Sequence, residues 1–359
     1  MKKLITNESL LIASSKEGLV VSVNGKDHIT LSGDVSIFLS ALKYADGNNS
    51  YEDIINILSM DGFELNESTE VLKFAIDENI LKENDYWSLR NAEYSLDLYS
   101  YEKWDRQIRN FMSLPGIDAK DAISFQQKIQ DSHVCILGVG GVGSYLSLSF
   151  SMMGVGNISI IDFDSIELSN TSRQVLYTEK EIGLNKIDVA KTEIIKHNPR
   201  TKVAAVNKQI KKDVDLVDAL EEIYTEFESY PDLLLVAADT PRDSINFIVD
   251  EVCSKLNISH FNLGPTGFHQ IMIGPLCIPG KTRSYTELIG DNKVTLATPD
   301  IENINKRMTP NIMDSFNALA AKSGAIEAIK HLTGYCEPAI IEKFIILDTF
   351  DWSVNIHEF

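Results

Sequence analysis

Apolar residues follow two different rhythms along the chain. Up to about residue 90, short apolar runs at Leu10-Leu11-Ile12, Leu19-Val20-Val21-Ser22-Val23 and His28-Ile29-Thr30-Leu31 alternate with polar breaks, with Asn24-Gly25 between the last two. Asn-Gly between apolar runs is a hairpin signal, so three short antiparallel strands are expected. Apolar residues then recur at spacings of three and four over roughly Val35 to Lys43, Tyr51 to Met60 and Glu67 to Leu81, the helical period. Ser50 and Asn66 stand where N-caps of the second and third helices would be. Three strands and three helices predict a small winged-helix-like α+β domain over residues 1–90.

A polar stretch rich in aromatics, carrying Tyr94, Tyr99, Tyr101 and Trp104, reads as a connector over residues 91–116. Over 117–359 strand-like and helix-like segments alternate. Val134 to Leu137, Ile158 to Asp162, Val203 to Val206 and Leu233 to Ala237 are the strands; Ser144 to Met153, Lys186 to His197 and Asp243 to Leu256 are the helices. That alternation predicts a doubly wound, Rossmann-like α/β sheet. An Ile271-Met272-Ile273 strand, a hydrophilic loop over Thr286 to Thr309, a helix over Asn317 to Leu332 and a strand over Phe344 to Asp348 complete it.

Composition narrows the function classes. With 359 residues, 44% of them hydrophobic, the chain can bury about two cores. Lys and Arg number 33 against 52 Asp and Glu, a net charge of -19, which disfavours a phosphate-tracking surface and hence a nucleic-acid partner. No apolar run approaches the length of a membrane span, and Asn7 and Glu8 break the N-terminal apolar segment before it could serve as a secretory signal. A cytoplasmic protein without a membrane partner is expected. Cys135, Cys253, Cys277 and Cys336 are scattered without a CxxC pair, so neither a disulfide framework nor a thiolate zinc site is suggested, and Cys135 and Cys277 read as packing residues.

The chemistry concentrates after His133-Val134-Cys135-Ile136-Leu137. Gly138, Gly140, Gly141 and Gly143 sit between that strand and a helix, the turn whose backbone N–H groups cradle phosphate. Asp162 ends the next strand, where a carboxylate can accept from ribose hydroxyls; NAD, FAD and ATP all fit that position. Asn170-Thr171-Ser172-Arg173-Gln174 and Gly183-Leu184-Asn185-Lys186 then supply an Arg and a Lys thirteen residues apart. Two cations suit a triphosphate whose pyrophosphate leaves. Asp239 ends a further strand on the same edge, placed to hold Mg2+. The plain structural alternative has Arg173 paired with an acid and Asp239 capping the helix that begins near Asp243. His269 and His260 flank Asn262-Leu263-Gly264-Pro265, read as a strand-end loop facing a substrate, with His269 a candidate proton shuttle.

In order and spacing, Gly138 to Gly143, Asp162, Asn170 to Gln174, Lys186 and Asp239 resemble the adenylation core of the ThiF, MoeB and ubiquitin-activating-enzyme superfamily, over about residues 100–350. The resemblance implies ATP and Mg2+ as cofactors, with Asn170 and Gln174 joining the glycines and Asp162 in the nucleotide site. Trp104-Asp105-Arg106-Gln107 resembles the upstream segment in which relatives lend an Arg to the other subunit's site. A homodimer with Arg106 acting in trans is therefore implied, with Arg109 the competing candidate. Where relatives carry a zinc-binding CxxC, this chain reads Pro279-Gly280-Lys281-Thr282-Arg283-Ser284-Tyr285-Thr286-Glu287, so that structural zinc is not expected. Between Thr286 and Thr309 there is no cysteine to serve as a thioester or persulfide relay.

The N-terminal domain resembles the PqqD-type element that recognises leader peptides, and its union with a ThiF-like core resembles the peptide-modifying enzymes of microcin C and pantocin formation. An ordinary winged-helix dimerisation domain is the alternative. The resemblance implies a ribosomal precursor peptide as partner, its leader added as a strand beside His28, Ile29, Thr30 and Leu31 and against Val71 and Phe74. The expected activity is adenylation of a peptide carboxyl group. Adenylation of a ubiquitin-like sulfur carrier, a non-catalytic leader-binding scaffold, and a nicotinamide oxidoreductase are the other readings.

Overall fold

A computed structural model describes residues 2–23, 28–84, 96–114, 116–242, 244–267, 269–290 and 312–359. The chain forms two compact units, Met1–Gln127 and Lys128–Phe359.

In the first unit β1 (Lys3–Thr6), β2 (Leu10–Ser15), β3 (Gly18–Val23) and β4 (Ile29–Leu31) precede α1 (Ser36–Tyr44), β5 (Asp46–Ser50), α2 (Tyr51–Met60), α3 (Leu65–Asp77) and β6 (Leu81–Glu83). The three expected strands are present as an antiparallel meander, β2-β3-β4, in which β4 pairs only with β3 among the described residues. The Asn24-Gly25 turn lies outside the described residues. A second sheet, β5-β1-β6, has no counterpart in the expected three-strand plan. Its strands are three to five residues long and form only because β1 supplies both edges, a pairing that local pattern does not reveal. The third helix ends at Asp77, not Leu81, because Asn79 turns the chain at φ 55° and Leu81–Glu83 pairs with β1. Ser50 caps α2 in a reciprocal capping box with Asp53. Asn66 does not cap α3: it falls in the first turn, and Glu64 occupies the cap position without a side-chain bond. Phe38, Ile54, Leu58 and Leu72, with Val21 of β3, make the core of this small α+β fold.

The expected connector contains a helix, α4 (Leu98–Met112), which buries Tyr101, Trp104, Ile108 and Phe111 at helical spacing; its hydrophilic remainder hid the stripe. Tyr94 lies outside the described residues. Helix α5 (Ala119–Asp131) leads into the second unit.

The second unit is an eight-stranded sheet in the order β14-β13-β12-β11-β10-β7-β8-β9. Strands β7 (His133–Leu137), β8 (Asn157–Asp162), β9 (Lys202–Asn207), β10 (Leu233–Val236) and the first half of β11 (Ser259–Gly267) are parallel; β12 (Gln270–Ile273), β13 (Lys343–Asp348) and β14 (Ser353–Glu358) are antiparallel. Intervening helices are α6 (Gly141–Met153), α7 (Lys186–His197), α8 (Asp213–Phe227), α9 (Ile245–Leu256), α10 (Tyr285–Ile289) and α11 (Asp314–Thr333). The doubly wound expectation is therefore met, with an antiparallel extension. Strand order grows from β7 through β8 to β9, then restarts at β10 on the other side of β7. That reversal opens a crevice at the carboxyl ends of β7 and β10, where open α/β sheets bind ligands.

Two expectations change here. Asn262 to Pro265 are inside β11, not a loop, because β11 runs parallel to β10 as far as Asn262 and then pairs antiparallel with β12. The hydrophilic segment from Thr286 begins with α10, capped by Ser284 and Glu287; its residues 291–311 lie outside the described residues. No helix among the described residues is long and apolar enough to cross a membrane.

Candidate active site

A cleft of about 650 Å3 occupies the crevice and is lined by Gly138, Gly140, Gly141, Asp162, Arg173, Lys186 and Asp239 among others. Its size suits a nucleotide-sized ligand.

Gly138 leaves β7 at φ 89° while its N–H donates to Ile161 O at 2.8 Å. A Cβ there would stand 3.0 Å from the Ala238 backbone, and one on Gly143 would stand 1.8 Å from Gly138 O. Glycine is needed at both positions, first for the positive φ and then for the close return of the helix. At Gly141 a Cβ would meet the Asn317 amide at 2.5 Å, so α11 closes on the start of α6. Gly140, the N-cap of α6, contributes no side chain to the first-turn N–H groups, leaving them for an anion.

Asp162 is buried and holds the loop rather than standing free. Its Oδ2 accepts from Val139 N at 2.8 Å and its Oδ1 from Asp164 N at 2.8 Å. Burial raises its pKa, opposed by the Lys186 charge and by those two bonds. Each oxygen keeps a second lone pair. Lys186, also buried, donates from Nζ to Asp164 Oδ2 at 2.7 Å, which uses one of three donors. Asp164 is therefore a site residue that the Asp-Phe-Asp motif contained without a role assigned to it.

Asn170 accepts from Glu167 N through Oδ1 at 3.0 Å, and its carbonyl accepts from the N–H groups of Arg173 and Gln174, so it builds the turn that presents both. Arg173 donates to Ser169 O at 2.6 Å and makes no ion pair among the described residues, so the expected alternative of an acid partner is not met. Gln174 is buried with Oε1 unpartnered. Tyr177, absent from the sequence expectations, donates to Val139 O at 2.8 Å and fixes the loop from below. Asp239 is exposed on the cleft, its one hydrogen bond among the described residues coming from Thr240 Oγ1 at 3.3 Å. It does not cap the following helix, whose N-cap is Ser244.

Lys208 and Arg242 also line the cleft, giving it four cations with Arg173 and Lys186 among the described residues. Sequence reading missed both; the signal available was only their position just past the ends of β9 and β10. Asn246, Asn262 and Asn317 add amides to the wall. His269 is exposed at the β11–β12 turn with φ 65°, stacked edge-on against Phe316, and is not among the residues lining the cleft.

Arg106 and Arg109 lie on α4 of the first unit. Arg109 is engaged by Asp105, at 3.1 and 3.0 Å, and by Glu8 at 3.4 Å, whereas Arg106 is solvent-exposed. His28 and Thr30 are exposed, Ile29 and Leu31 half-buried, and Val71 and Phe74 pack partly buried on the core of the same unit.

Comparison with known proteins bears on the same region. Among curated proteins, the adenylyltransferase and sulfurtransferase UBA4 of Scheffersomyces stipitis is 26% identical over 308 residues, 85% of this chain. The chain spans 61% of that relative's length. Among solved structures, Escherichia coli MccB with ATP superposes with a TM-score of 0.75 at 24% identity, covering 99% of this chain and 96% of that one. PaaA superposes with a TM-score of 0.70 at 22% identity, covering 98% of each. At these identities the likeness is one of fold, and it takes in both units. The ThiF family matches residues 105–359, which include every residue lining the cleft. With more than half its length and its whole cleft inside that match, this chain belongs to the ThiF family.

Proposed function

We propose that the protein adenylates a carboxyl group of a ribosomally made precursor peptide, using ATP with Mg2+. The observation that carries this reading is the convergence of the glycine turn, Asp162, Arg173, Lys186 and Asp239 on one cleft at the reversal of strand order. The phosphates lie against the glycine turn and the start of α6, and the ribose hydroxyls donate to the remaining lone pairs of Asp162. A carboxylate oxygen of the peptide attacks the α-phosphorus, the bond to the β-phosphate oxygen breaks, and pyrophosphate departs with its electron pair. Arg173, Lys186 and Arg106 of the partner subunit stabilise the charge that develops on the oxygens in flight. Asp239 fits Mg2+, because an exposed carboxylate with one weak bond is the kind of ligand Mg2+ combines with phosphate oxygens. Held by Asp239, Mg2+ would supply positive charge that offsets the charge of the phosphates.

Two features support a peptide as the carboxyl donor. Strand β4 has one edge without a partner strand among the described residues, and edge addition of an extended peptide needs such an edge. The MccB likeness includes that unit, and MccB has been solved with ATP and, as a microcin C7 biosynthetic enzyme, with N-formylated MccA. The second reading, adenylation of a sulfur-carrier protein, draws on the name of the UBA4 relative.

The test is pyrophosphate release from ATP and Mg2+ with candidate short peptides, and separately with a carrier ending in Gly-Gly, followed by mass measurement of the acceptor. Peptide-dependent release supports adenylation of a peptide. Release only with the carrier replaces it by the second reading, and tight peptide binding without release leaves the scaffold.

A further inference from the structure

We propose that Asp250, His260 and Cys277 form a buried site for a zinc-class divalent cation, separate from the nucleotide cleft and independent of which reaction occurs there. The three residues come from α9, β11 and the segment following β12. Paired main-chain hydrogen bonds, His260 N to Cys277 O at 3.0 Å and Cys277 N to His260 O at 2.9 Å, hold the last two face to face. One ligand atom from each residue can be chosen so that all lie within 4.8 Å of one another, and Asp250 Oδ1 is 3.4 Å from His260 Nε2. Ligands bound to one tetrahedral ion at about 2.0 to 2.3 Å are separated by little more than this last distance.

A second observation points to a ligand. His260 is 3% exposed, yet neither ring nitrogen makes a hydrogen bond of good geometry: Nε2 has only the 3.4 Å contact with Asp250 Oδ1, and Nδ1 has no partner among the described residues. A buried imidazole almost always has one. Meanwhile the Asp250 carboxylate is already aimed: Oδ1 accepts from Tyr285 N at 2.8 Å, and Oδ2 from Thr286 N at 2.9 Å and Thr286 Oγ1 at 2.5 Å. Outer hydrogen bonds of this kind orient a carboxylate toward a metal. Among the described residues the Cys277 thiol makes only a long contact, Sγ to Pro275 O at 3.9 Å.

The donor set selects the metal. One sulfur, one imidazole nitrogen and one carboxylate oxygen suit zinc and exclude Mg2+ and Ca2+, which take oxygen ligands. On binding, the Cys277 S–H proton leaves to solvent and a sulfur–metal bond forms, with no change of oxidation state. The ion then carries two anionic ligands and is neutralised. The fourth position falls to a water or the second carboxylate oxygen. This is not the four-thiolate site whose cysteines the chain lacks. Its consequence is structural: the ion ties α9, β11 and, through Asp250, the start of α10 into one cluster.

The test uses the full-length chain without a histidine tag, refolded free of metal and titrated with Co2+. One equivalent should bind with a thiolate-to-cobalt charge-transfer band, be displaced by Zn2+, and raise the Tm. Cys277→Ser should lose the band while Cys253→Ser keeps it, and His260→Gln should weaken Zn2+ binding by about tenfold or more. X-ray absorption of the zinc-loaded wild type, which needs no variant, should give a single sulfur neighbour. Failure to bind one equivalent, a band that survives Cys277→Ser, or a sulfur count other than one overturns the site.

Discussion

Lys186 illustrates how much a single side chain is asked to do in the cleft. It is buried, bonded to Asp164, and close enough to Asp162 for its charge to oppose the upward pKa shift of that carboxyl. Replacing it by alanine removes charge stabilisation and leaves Asp164 alone beside Asp162. Pyrophosphate release by Lys186→Ala should fall by about two to three orders of magnitude, the cost of losing one positioned donor to a developing charge. Peptide affinity, read by fluorescence anisotropy, should stay within about twofold; wild-type turnover in this variant would remove Lys186 from the mechanism. His133 gives a prediction of another kind. Its ring is buried against Phe227 with Nε2 on Ser159 Oγ at 2.7 Å, and burial lowers its pKa to about 4. A histidine whose folded pKa lies below its unfolded value is protonated first in the unfolded chain, so stability is held above pH 6.5 and drains as pH falls toward about 4. Acidification from pH 7 to pH 5 should cost about 2 kcal/mol through this residue. Urea midpoints at the two pH values should converge in His133→Asn; an unchanged slope would assign the pH dependence elsewhere.

The glycine turn and the capped helices show elements whose start is written in a few residues. At Gly143 an added methyl meets Gly138 O at 1.8 Å, so the helix cannot return under the turn without moving it. Gly143→Ala should therefore lose the ATP-dependent rise in Tm that the wild type gives, by far more than the helix-propensity gain of about 1 kcal/mol that alanine brings. An unchanged thermal shift with ATP would show that the turn is not where phosphate binds. In the first unit, Ser50 and Asp53 cap α2 reciprocally. Ser50→Ala should destabilise the chain by about 1 kcal/mol in denaturant unfolding, with pyrophosphate release unchanged. Asn66→Ala should be near neutral, because Asn66 lies inside the first turn of α3 and caps nothing; equal losses in the two variants would contradict that distinction.

At the scale of the whole molecule, the proposed exchange of Arg106 between subunits is testable without a structure of the dimer. Lys186→Ala and Arg106→Ala chains, each inactive alone, should regain about a quarter of wild-type activity when mixed, since half the dimers are mixed and each has one intact site. No recovery would place Arg106 in its own subunit's site or outside it. The exposed state of Arg106 and the engagement of Arg109 by Asp105 and Glu8 favour Arg106 as the residue free to reach outward, a choice that spacing alone left open. The sequence by itself determined the parallel strands, the glycine turn, and the order of Asp162, Arg173, Lys186 and Asp239, because buried strands, tight turns and strand-end carboxylates are local events governed by period and by residue type. Tertiary structure decided the rest. The sheet β5-β1-β6, the extension of β11 past Asn262, and the roles of Asp164, Tyr177, Lys208, Arg242 and Asn317 depend on partners distant along the chain. The meeting of Asp250, His260 and Cys277 is of the same kind. No spacing in the sequence announces it, because a helix, a strand and a returning segment bring the three side chains together only once the sheet has formed.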